Sequence, residues 1–563
     1  MPVVDYSLYL VTDSTPAILG SRKLEQIVEA ALAGGVTVVQ YRDKHGARAD
    51  VVAAARALHR VAQKYRVPLL INDRVDVAVE VGCEGVHIGQ DDMGVQQARQ
   101  LLGPDKIIGV TASSVPEALA ACAAGADYLG IGTVYATPTI KLLTSIASAA
   151  AAAATSRKRD TKSIIGPAGV SEILHALRRR VDDGSPATPT VCIGGINASN
   201  AASVLAQTTS LSSSSPSSSS QGGSFLDGIA VVSAIMASPD PASAARNLAS
   251  IVMTAKIPRV VRAVAAKNPL SHNMTNLVVQ NFAANVALAV GASPIMSTYA
   301  REAPDLAAIG GGGLLVNMGT VTPDGLDNYV HAIRAYNAAR RPIVFDPVGA
   351  GATTTRRQAV QILLSAGSFA VIKGNYAELA TVSGASNIVQ HGVDSSSPSS
   401  SPGGDMAQRA RLVRRVARQQ RCVAVLTGAT DLVSDGHRRT VRVDNGHELL
   451  GAVTGTGCTL GTTLSAMVAA YSTTTTTTTT TTGDGGGDAF VAAVAGTVLF
   501  GVAAEMAAAR ADVHGPGTFV PAFLDELYRI RGATERGDLR WLVLAKVAAI
   551  PVEEDGDDDH DER

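Results

Sequence analysis

Two groups of residues in this chain have the types and spacing of phosphate-binding sites. The first begins at Gln40-Tyr41-Arg42-Asp43-Lys44, directly after an apolar run. Its two cations suit a diphosphate, since arginine offers a planar fork of donors and lysine a compact charge. The second ends at Thr454-Gly455-Thr456-Gly457-Cys458, where an apolar helical pattern starts. Glycines at a helix start expose backbone N–H groups that can hold a transferring phosphoryl group. Together the groups predict a fusion of two enzymes.

Acidic and amide side chains extend the first group. Asn72-Asp73 ends the next apolar run, and Gln90-Asp91-Asp92 follows the run after that. Magnesium prefers carboxylate and phosphate oxygens, so the pattern predicts an Mg²⁺ site at Asp73 and Asp92. Each motif alone has a plainer interpretation, because a strand-end Asp often caps a helix. The joint placement of the motifs is what favours a binding site.

Cys458 stands at the predicted positive end of a helix. This position predicts a thiol pKa below the usual value of about 8.5. A buried structural thiol is an equally good interpretation of the motif alone. The other cysteines lie in apolar contexts typical of inert buried thiols, and no Cys-x-x-Cys pair suggests a zinc site or disulfide framework. These four are Cys83, Cys122, Cys192 and Cys422.

The residues of the first group must be positioned by an alternation of short strands and helices. Eight apolar runs of this kind predict a (β/α)8 TIM barrel, in which chemistry lies at the carboxyl ends of the strands. The polar residues described above follow such ends. The predicted strands are Leu8–Asp13, Thr37–Arg42, Pro68–Asp73, Gly85–Gly89, Ile107–Ala112, Tyr128–Val134, Thr190–Ile196 and Gly228–Ser233.

The second half predicts a different α/β architecture. Four apolar runs indicate buried parallel strands of an open, helix-flanked sheet. A P-loop motif is absent from the sequence, and Gly310–Gly313 precedes a strand, which favours a turn over a phosphate cradle. The loop Asp346–Ala352 follows one strand and is a candidate pocket wall. The predicted strands are Leu314–Asn317, Pro342–Asp346, Ala370–Lys373 and Val423–Thr427.

Length and composition support two domains. The 563 residues divide into predicted domains 1–255 and 256–550, with an acidic tail 551–563 and low-complexity inserts near 147–160, 208–224, 394–404 and 472–487. Lys+Arg total 48 and Asp+Glu 49, a balance that argues against a nucleic-acid partner. No signal-like start is seen, and the apolar stretch Ala489–Ala504 falls short of a membrane span, so no membrane partner and a cytoplasmic location are expected.

The first half resembles the thiamine-phosphate synthase family over residues 6–253. The resemblance rests on Gln40–Lys44, Ile71–Arg74, His87–Asp92, Gly130–Gly132 with Ala136–Thr139, Ile193–Ile196 and Val231–Ile235. It implies condensation of hydroxymethylpyrimidine diphosphate with a thiazole phosphate, with release of diphosphate.

The resemblance to the synthase family also implies roles for single residues. Arg42 and Lys44 would assist departure of the diphosphate, and Asp73 and Asp92 would bind Mg²⁺. The residues implied to contact the pyrimidine diphosphate are Gln40, Arg42, Lys44, Asn72, Thr111 and Lys141. Those implied to contact the thiazole phosphate are Thr137, Thr139, Gly194, Gly195, Val232 and Ser233.

One departure from the synthase pattern concerns a lysine. The family usually reads Thr-x-Thr-Lys, with the lysine reaching the diphosphate. Here Ile140 occupies that place and Lys141 follows, shortly before a low-complexity insert. Two alternatives stay open: Lys141 substitutes from one position further on, or the barrel is impaired and only the second half is active.

The second half resembles hydroxyethylthiazole kinase, a ribokinase-like family, over residues 267–535. The resemblance rests on His272–Asn276, Gly291–Met296, Asn317–Thr320, Asp346–Thr353 with Arg356, Lys373–Glu378, Leu426–Gly428 and Gly455–Cys458. It implies that Met296 and Gly455 bind the thiazole and that Arg356 and Thr427 contact ATP. Cys458 would be the base for the alcohol, and Glu378, with Asn375, would help to place Mg²⁺.

Together the two resemblances imply a bifunctional enzyme. The second half would phosphorylate 4-methyl-5-(2-hydroxyethyl)thiazole with ATP, and the barrel would join that product to the pyrimidine diphosphate. The kinase family also implies a homo-oligomer, a trimer or hexamer. The alternative from another class is a non-catalytic sensor that binds ligands of the thiamine pathway without turnover.

Overall fold

The computed structural model describes residues 4–44, 46–136, 164–208, 225–384, 406–471 and 488–551. The described chain forms two units, which divide between Ala255 and Lys256. This boundary falls inside the helix Pro241–Lys267. The predicted site residues Thr137, Thr139 and Lys141, together with Ile140, lie outside the described residues.

The first unit is a closed barrel of eight parallel strands in chain order, as predicted, and the last strand pairs with the first. Several strands end before their predicted limits, and the residues that follow depart from extended backbone geometry at some of these ends. Asp73, for example, adopts a left-handed backbone with φ of 61°. The strands are β1 Leu8–Val11, β2 Val38–Tyr41, β3 Leu69–Asn72, β4 Gly85–Ile88, β5 Ile107–Ala112, β6 Tyr128–Ile131, β7 Thr190–Ile193 and β8 Gly228–Val231.

Amphipathic helices cover the barrel. Arg48–Lys64 buries Val51, Ala55, Leu58 and Ala62 at helical spacing on one face. The helices of this unit are Pro16–Leu19, Leu24–Ala33, Arg48–Lys64, Val75–Val81, Val95–Leu102, Val115–Ala123, Gly166–Asp182, Ala201–Gln207, Ser233–Met236 and Pro241–Lys267, which runs into the second unit.

Large side chains fill the barrel interior. Tyr9 and Tyr128 are fully buried there, with ring centroids 5.8 Å apart. Gly109 on β5 makes room for Tyr128, since a Cβ at this glycine would lie 2.0 Å from the tyrosine ring. The interior is therefore packed with side chains except at the mouth, where the strands end.

The second unit contains a nine-stranded sheet in the order β10-β9-β11-β12-β13-β14-β15-β16-β17. Strands β9 to β14 are parallel, which confirms the predicted open sheet, whereas β15 to β17 add an antiparallel edge that was not predicted. The strands are β9 Leu270–Met274, β10 Ser293–Ile295, β11 Gly313–Asn317, β12 Ile343–Asp346, β13 Val371–Gly374, β14 Val423–Leu426, β15 Asp431–Ser434, β16 Thr440–Val443 and β17 Val547–Ala549.

Helices flank this sheet. They are Gln280–Val290, Ala303–Ala308, Pro323–Ala338, Thr354–Ala366, Tyr376–Val382, Met406–Gln420, Thr456–Tyr471, Ala489–Ala508 and Pro516–Glu535, with short 3-10 turns at Ala300–Glu302, Glu448–Leu450 and Arg540–Leu544.

The helix Ala489–Ala508 is longer than its apolar stretch suggested, because it continues past Glu505. At 20 residues it is long and apolar enough to cross a membrane by length and composition, so the expectation that it is too short was wrong. Its most apolar window is 83% buried inside the unit, between Thr456–Tyr471 and Pro516–Glu535. This burial identifies a core helix.

Candidate active sites

Two carboxylates meet at the mouth of the barrel. Asp73 follows β3 and Asp92 follows β4, and their side chains are hydrogen-bonded to each other. Burial and this neighbouring acid raise the pKa of Asp73 to about 6, against the opposing charges of Lys44 and Arg42. Lys44 Nζ lies 3.8 Å from Asp73 Oδ2. Two adjacent acids beside two cations could hold a divalent cation together with a diphosphate.

A chain of polar side chains crosses the barrel below this mouth. Gln40 Nε2 donates to Asn72 Oδ1 at 2.6 Å, and Gln40 Oε1 accepts from the Tyr9 hydroxyl at 2.9 Å. The Tyr9 hydroxyl is 2.7 Å from that of Tyr128. Burial raises the pKa of both tyrosines, so their hydroxyls remain protonated.

The chain continues to the opposite wall. Tyr128 Oη lies 2.7 Å from His87 Nδ1, and His87 Nε2 lies 2.9 Å from Thr111 Oγ1. Three of the predicted pyrimidine-site residues, Gln40, Asn72 and Thr111, therefore belong to one network. The parts of Tyr9, His87 and Tyr128 in this network were not predicted from the sequence. One signal was available: alternate residues of a strand point into the barrel, and polar side chains at these positions need hydrogen-bond partners there.

Two glycines after β7 allow close backbone packing at another part of the mouth. Gly194 and Gly195 have φ of 106° and 66°, which other residues rarely adopt. A Cβ at Gly194 would lie 2.4 Å from Thr133 Cγ2. Val232 and Ser233 follow the adjacent strand β8, and Ser233 begins a four-residue helix. The last two strands thus bring four of the predicted thiazole-phosphate residues to one side of the mouth.

In the second unit, the strand order reverses between β9 and β11. Such a reversal opens a crevice at the carboxyl ends of the strands. Asn276 follows β9 and Asn317 ends β11, with Asn276 Nδ2 3.3 Å from Asn317 Oδ1. The helix Thr456–Tyr471 packs on this part of the sheet and places Cys458 Sγ 4.0 Å from Asn276 Nδ2. The predicted catalytic thiol therefore lies at the crevice.

A buried ion pair lies beside the thiol. Lys373 Nζ is 3.0 Å from Asp346 Oδ1 and also donates to the Gly457 carbonyl at 3.0 Å. Asn317 Nδ2 donates to the other Asp346 oxygen at 2.9 Å. Lys373 and Asn317 lie in motifs of the kinase resemblance, but no role was predicted for either. The structure shows that they join three strand ends to the start of the helix that bears Cys458.

The predicted fall in the thiol pKa of Cys458 is wrong for this structure. Burial raises its pKa to about 11, and the charge of Asp346 adds to the rise. Lys373 and a hydrogen bond from Asn317 act in the opposite direction but are smaller effects. The helix start alone suggested a thiolate, whereas the surrounding side chains favour the neutral thiol.

Gly455 directly precedes the helix Thr456–Tyr471, and Met296 directly follows β10. Gly455 has φ of 87°, and a Cβ there would lie 2.4 Å from Val279 Cγ1, so only glycine fits before the helix. Met296 follows β10 and is half-buried. Its neighbour Ser297 accepts a hydrogen bond from His272 Nε2 at 2.9 Å through its carbonyl.

Glu378 is tied to two loops. With Asn375 it forms a capping box at the start of Tyr376–Val382. One Glu378 oxygen accepts from Asn375 N and the other from Gly349 N, both at 2.8 Å. Burial raises the pKa of Glu378 against the opposing charge of Lys373. The carboxyl group thus lies close to Lys373 and Asp346, with orientation set by backbone donors.

Arg356 braces the loops after β11 and β12. Its guanidinium donates to the carbonyls of Met318 at 2.8 Å, Val348 at 2.7 Å and Gly319 at 2.8 Å. Thr427 follows β14, and its N–H donates to Gly374 O at 2.9 Å. The implied ATP contacts of Arg356 and Thr427 stay predictions, while the bracing bonds of Arg356 are observed.

Both units therefore carry sites for phosphorylated substrates at the carboxyl ends of parallel strands, which defines a fused pair of phosphate-handling transferases. Residues 8–235 match the family model described as thiamine monophosphate synthase, and residues 261–532 match the hydroxyethylthiazole kinase family. The chain belongs to the family of thiamine biosynthetic bifunctional enzymes. Both of its units are transferases, and the kinase family implies ATP as co-substrate.

The relatives of this chain include fusions and a single-domain enzyme. It is 36% identical to the "Probable thiamine biosynthetic bifunctional enzyme" of Schizosaccharomyces pombe, over 97% of this chain and 98% of the relative. It is also 36% identical to the "Thiamine biosynthetic bifunctional enzyme" of Saccharomyces cerevisiae, over 94% and 96%. The barrel half is 40% identical to the "Thiamine-phosphate synthase" of Clostridium novyi, over 44% of this chain and 99% of the relative.

The raised thiol pKa of Cys458 predicts slow alkylation. Because Asp346 raises this pKa, Asp346→Asn removes a negative charge and leaves Lys373 to lower it. A fall of one pKa unit gives about tenfold more thiolate at pH 8. Iodoacetamide labelling followed by mass spectrometry should therefore show Cys458 reacting about tenfold faster in Asp346→Asn.

The exposed Asp327→Asn is the matched control and should label at the wild-type rate. The other four cysteines are buried and should stay unlabelled, which reports an intact fold. Equal rates in wild type and Asp346→Asn would show that Asp346 does not influence the thiol.

Proposed function

We propose that the kinase unit transfers the γ-phosphoryl group of ATP to 4-methyl-5-(2-hydroxyethyl)thiazole and that the barrel then condenses the resulting phosphate with the pyrimidine diphosphate. The observation that carries this proposal is that each unit gathers its phosphate-handling residues at the carboxyl ends of its own strands. The order of the two reactions is thus the reverse of the order of the units along the chain.

In the kinase reaction the thiazole alcohol attacks the γ-phosphorus, the bond to the β–γ bridging oxygen breaks, and ADP departs. Gly455–Cys458 offer helix-start N–H groups to the transferred phosphoryl oxygens. Cys458 is the candidate acceptor of the alcohol proton. Only the thiolate can accept this proton, and with a pKa of about 11 the thiol is almost wholly protonated in the free enzyme, so the proton would otherwise pass to an oxygen of the transferred phosphoryl group. Phosphoryl transfer depends mainly on positioning and charge, however, so little proton transfer is needed before the bond to phosphorus breaks.

Lys373 and Glu378 would also take part in this reaction. Lys373 brings positive charge to the Gly457 carbonyl and Asp346. Glu378 and Asp346 are two hard oxygen donors near it, which fits Mg²⁺ bound together with ATP phosphates. Bound Mg²⁺ would neutralise charge on those phosphates. We place Met296 and Gly455 against the thiazole and Thr427 near ATP.

In the barrel reaction the diphosphate leaves the pyrimidine methylene carbon, and the thiazole nitrogen forms the new bond to that carbon. Arg42 and Lys44 would hold the departing diphosphate. Asp73 and Asp92 fit Mg²⁺, because two hydrogen-bonded acids with one raised pKa are an arrangement that a cation relieves. Within the described residues there is no group of three or more His, Cys, Asp or Glu side chains suited to a metal, so diphosphate oxygens would complete the coordination.

Single substitutions should separate the two reactions. From thiazole alcohol, ATP and pyrimidine diphosphate, the wild type should form thiamine phosphate, and both Cys458→Ala and Asp73→Asn should lose most of this flux. With thiazole phosphate supplied directly, Cys458→Ala should recover full activity because its barrel is untouched. Chromatography of products and ADP measures each step.

The same assay decides the alternatives. No thiamine phosphate from wild type given thiazole phosphate, with normal ADP release, would establish an impaired barrel and link the fault to Ile140-Lys141. ADP release unchanged in Cys458→Ala would refute the role of the thiol.

The carboxylate pair predicts pH-dependent binding of Mg²⁺ with diphosphate. The folded-state pKa of Asp73 is raised from 3.8 to about 6, so its contribution to stability is present below pH 4 and lost as the pH rises through 6. Mg²⁺ binds the ionised form. Mg²⁺ and inorganic diphosphate should therefore raise the Tm by several degrees at pH 7.5 and much less at pH 5.

Asp92→Asn should abolish most of this gain at pH 7.5, because it removes one of the two proposed donors. Asp91→Asn, the exposed neighbour, is the control and should keep the gain. A Tm rise that is the same in both variants would place the cation elsewhere.

We further propose that the kinase unit assembles into a homo-oligomer. Leu277 and Val278, directly after the crevice residue Asn276, are 84% and 74% exposed. Two adjacent exposed aliphatic side chains beside a site are typical of a surface that a second copy covers. Leu277→Asp combined with Val278→Asp should shift the sedimenting species toward monomer, whereas Ile362→Asp, at a 47% exposed position beside the buried Leu363, should not. A monomeric wild type at micromolar concentration would refute this.

A further inference from the structure

Arg22 connects the loops that follow the first and last strands of the barrel. Its Nη1 donates to the Ser238 carbonyl at 2.6 Å, and its Nη2 donates to the Met236 carbonyl at 2.7 Å. On the other side, Nη2 donates to Ile18 O at 2.9 Å and Nε to Leu19 O at 3.3 Å. One half-buried guanidinium thus holds four carbonyls from two loops.

The turn after β8 is held in the core by the buried side chains of Ile235 and Met236, whereas its carboxyl end depends on Arg22. Ser233–Met236 is a single helical turn, and so short a helix is not stable by itself. The last carbonyls of a helix lack partners within it, and Arg22 supplies one to Met236. A cation at the carboxyl end also suits the helix dipole. Arg22 therefore fixes the carboxyl end of a short turn whose first residue is Ser233.

The anchored turn begins at residues assigned to substrate binding. Val232 and Ser233 start it, and the strand register holds β8 against β1 through Leu10 and Val231. Arg22 therefore ties the turn to the helix Pro16–Leu19, which follows the neighbouring strand β1, at the seam where the barrel closes. Movement of the turn would shift Val232 and Ser233 relative to Gly194 and Gly195 on β7.

We infer that Arg22 is a positioning residue for the thiazole phosphate in the synthase reaction, because its fork sets the place of the Val232-Ser233 turn. This inference rests on the proposed function, in which that turn contacts the phosphate. Arg22 itself bonds to carbonyls and does not act as a phosphate ligand. Lysine cannot replace it, since one ammonium group does not reproduce a planar fork over four carbonyls.

The test measures steady-state kinetics of the barrel in the full chain. Arg22→Gln and Arg22→Lys should each raise the KM for thiazole phosphate about tenfold, as expected for lost hydrogen bonds to a charged group. The KM for the pyrimidine diphosphate should stay within about twofold, because its residues lie on other loops. ATP- and thiazole-dependent ADP release by the kinase unit should not change and serves as an internal control.

Arg99→Gln is the matched control. Arg99 is also half-buried and donates to carbonyls, but these belong to Gly103 and Lys106, before β5 at the other end of the barrel. The variant Arg99→Gln should lower the Tm without a selective change in the KM for thiazole phosphate. A selective KM increase in Arg99→Gln as large as in Arg22→Gln would overturn the inference.

Ser233→Ala separates failure of the inference from failure of the proposed function. If Ser233→Ala raises the KM for thiazole phosphate and both Arg22 variants leave it unchanged, the positioning role is refuted and the binding site stands. If both substrates' KM values rise equally in the Arg22 variants, Arg22 supports only the fold, which also refutes it. If Ser233→Ala has no effect, the assigned phosphate site is wrong. Should Arg22→Gln fail to fold, Arg22→Lys decides.

Discussion

The parallel direction of the strands is the constraint on which both sites depend. A parallel strand must be followed by a crossover, so all its neighbours end on the same side, and their loops meet there. In the barrel this brings together Asp73 and Asp92 from adjacent strands. In the second unit it brings together Asn317, Asp346 and Lys373, which end or nearly end three adjacent strands. Neither cluster is contiguous in the sequence, yet both follow from topology.

Gathering polar groups at buried strand ends has an energetic cost. Removing charges from water is unfavourable, and loss of one partner of a buried pair typically destabilises a protein by about 3–5 kcal/mol. Asp346 is fully buried, and its two oxygens are matched by Lys373 and Asn317. The pair also holds the start of the Cys458 helix through Gly457. The cost of burial is limited only when every polar atom of the pair is hydrogen-bonded. This requirement leaves one defined geometry at the start of the helix.

Features that depend on local sequence pattern could be predicted from the sequence. Features that depend on the three-dimensional surroundings of a residue could not. Alternating apolar runs were sufficient for the barrel and for the central strands of the sheet. The strand β9 was not predicted because it contains the polar residues His272 and Asn273. Their side chains form hydrogen bonds with residues that are distant in the sequence, and such bonds cannot be read from a local pattern. The prediction of a lowered thiol pKa for Cys458 was wrong for the same reason. A helix start is visible in the sequence, whereas burial and the charge of Asp346 are not.

A family resemblance implies that a residue contacts a ligand. The structure shows which hydrogen-bond donors of that residue already have partners in the protein. Arg356 was expected at ATP, yet three of its hydrogen bonds go to the carbonyls of Met318, Gly319 and Val348. To reach a phosphate with the same N–H groups, it would leave those carbonyls without partners, at a cost comparable to the bonds gained. Arg22 presents the same arrangement in the barrel. Both arginines therefore brace loops at the strand ends, and the ATP contact of Arg356 stays a prediction.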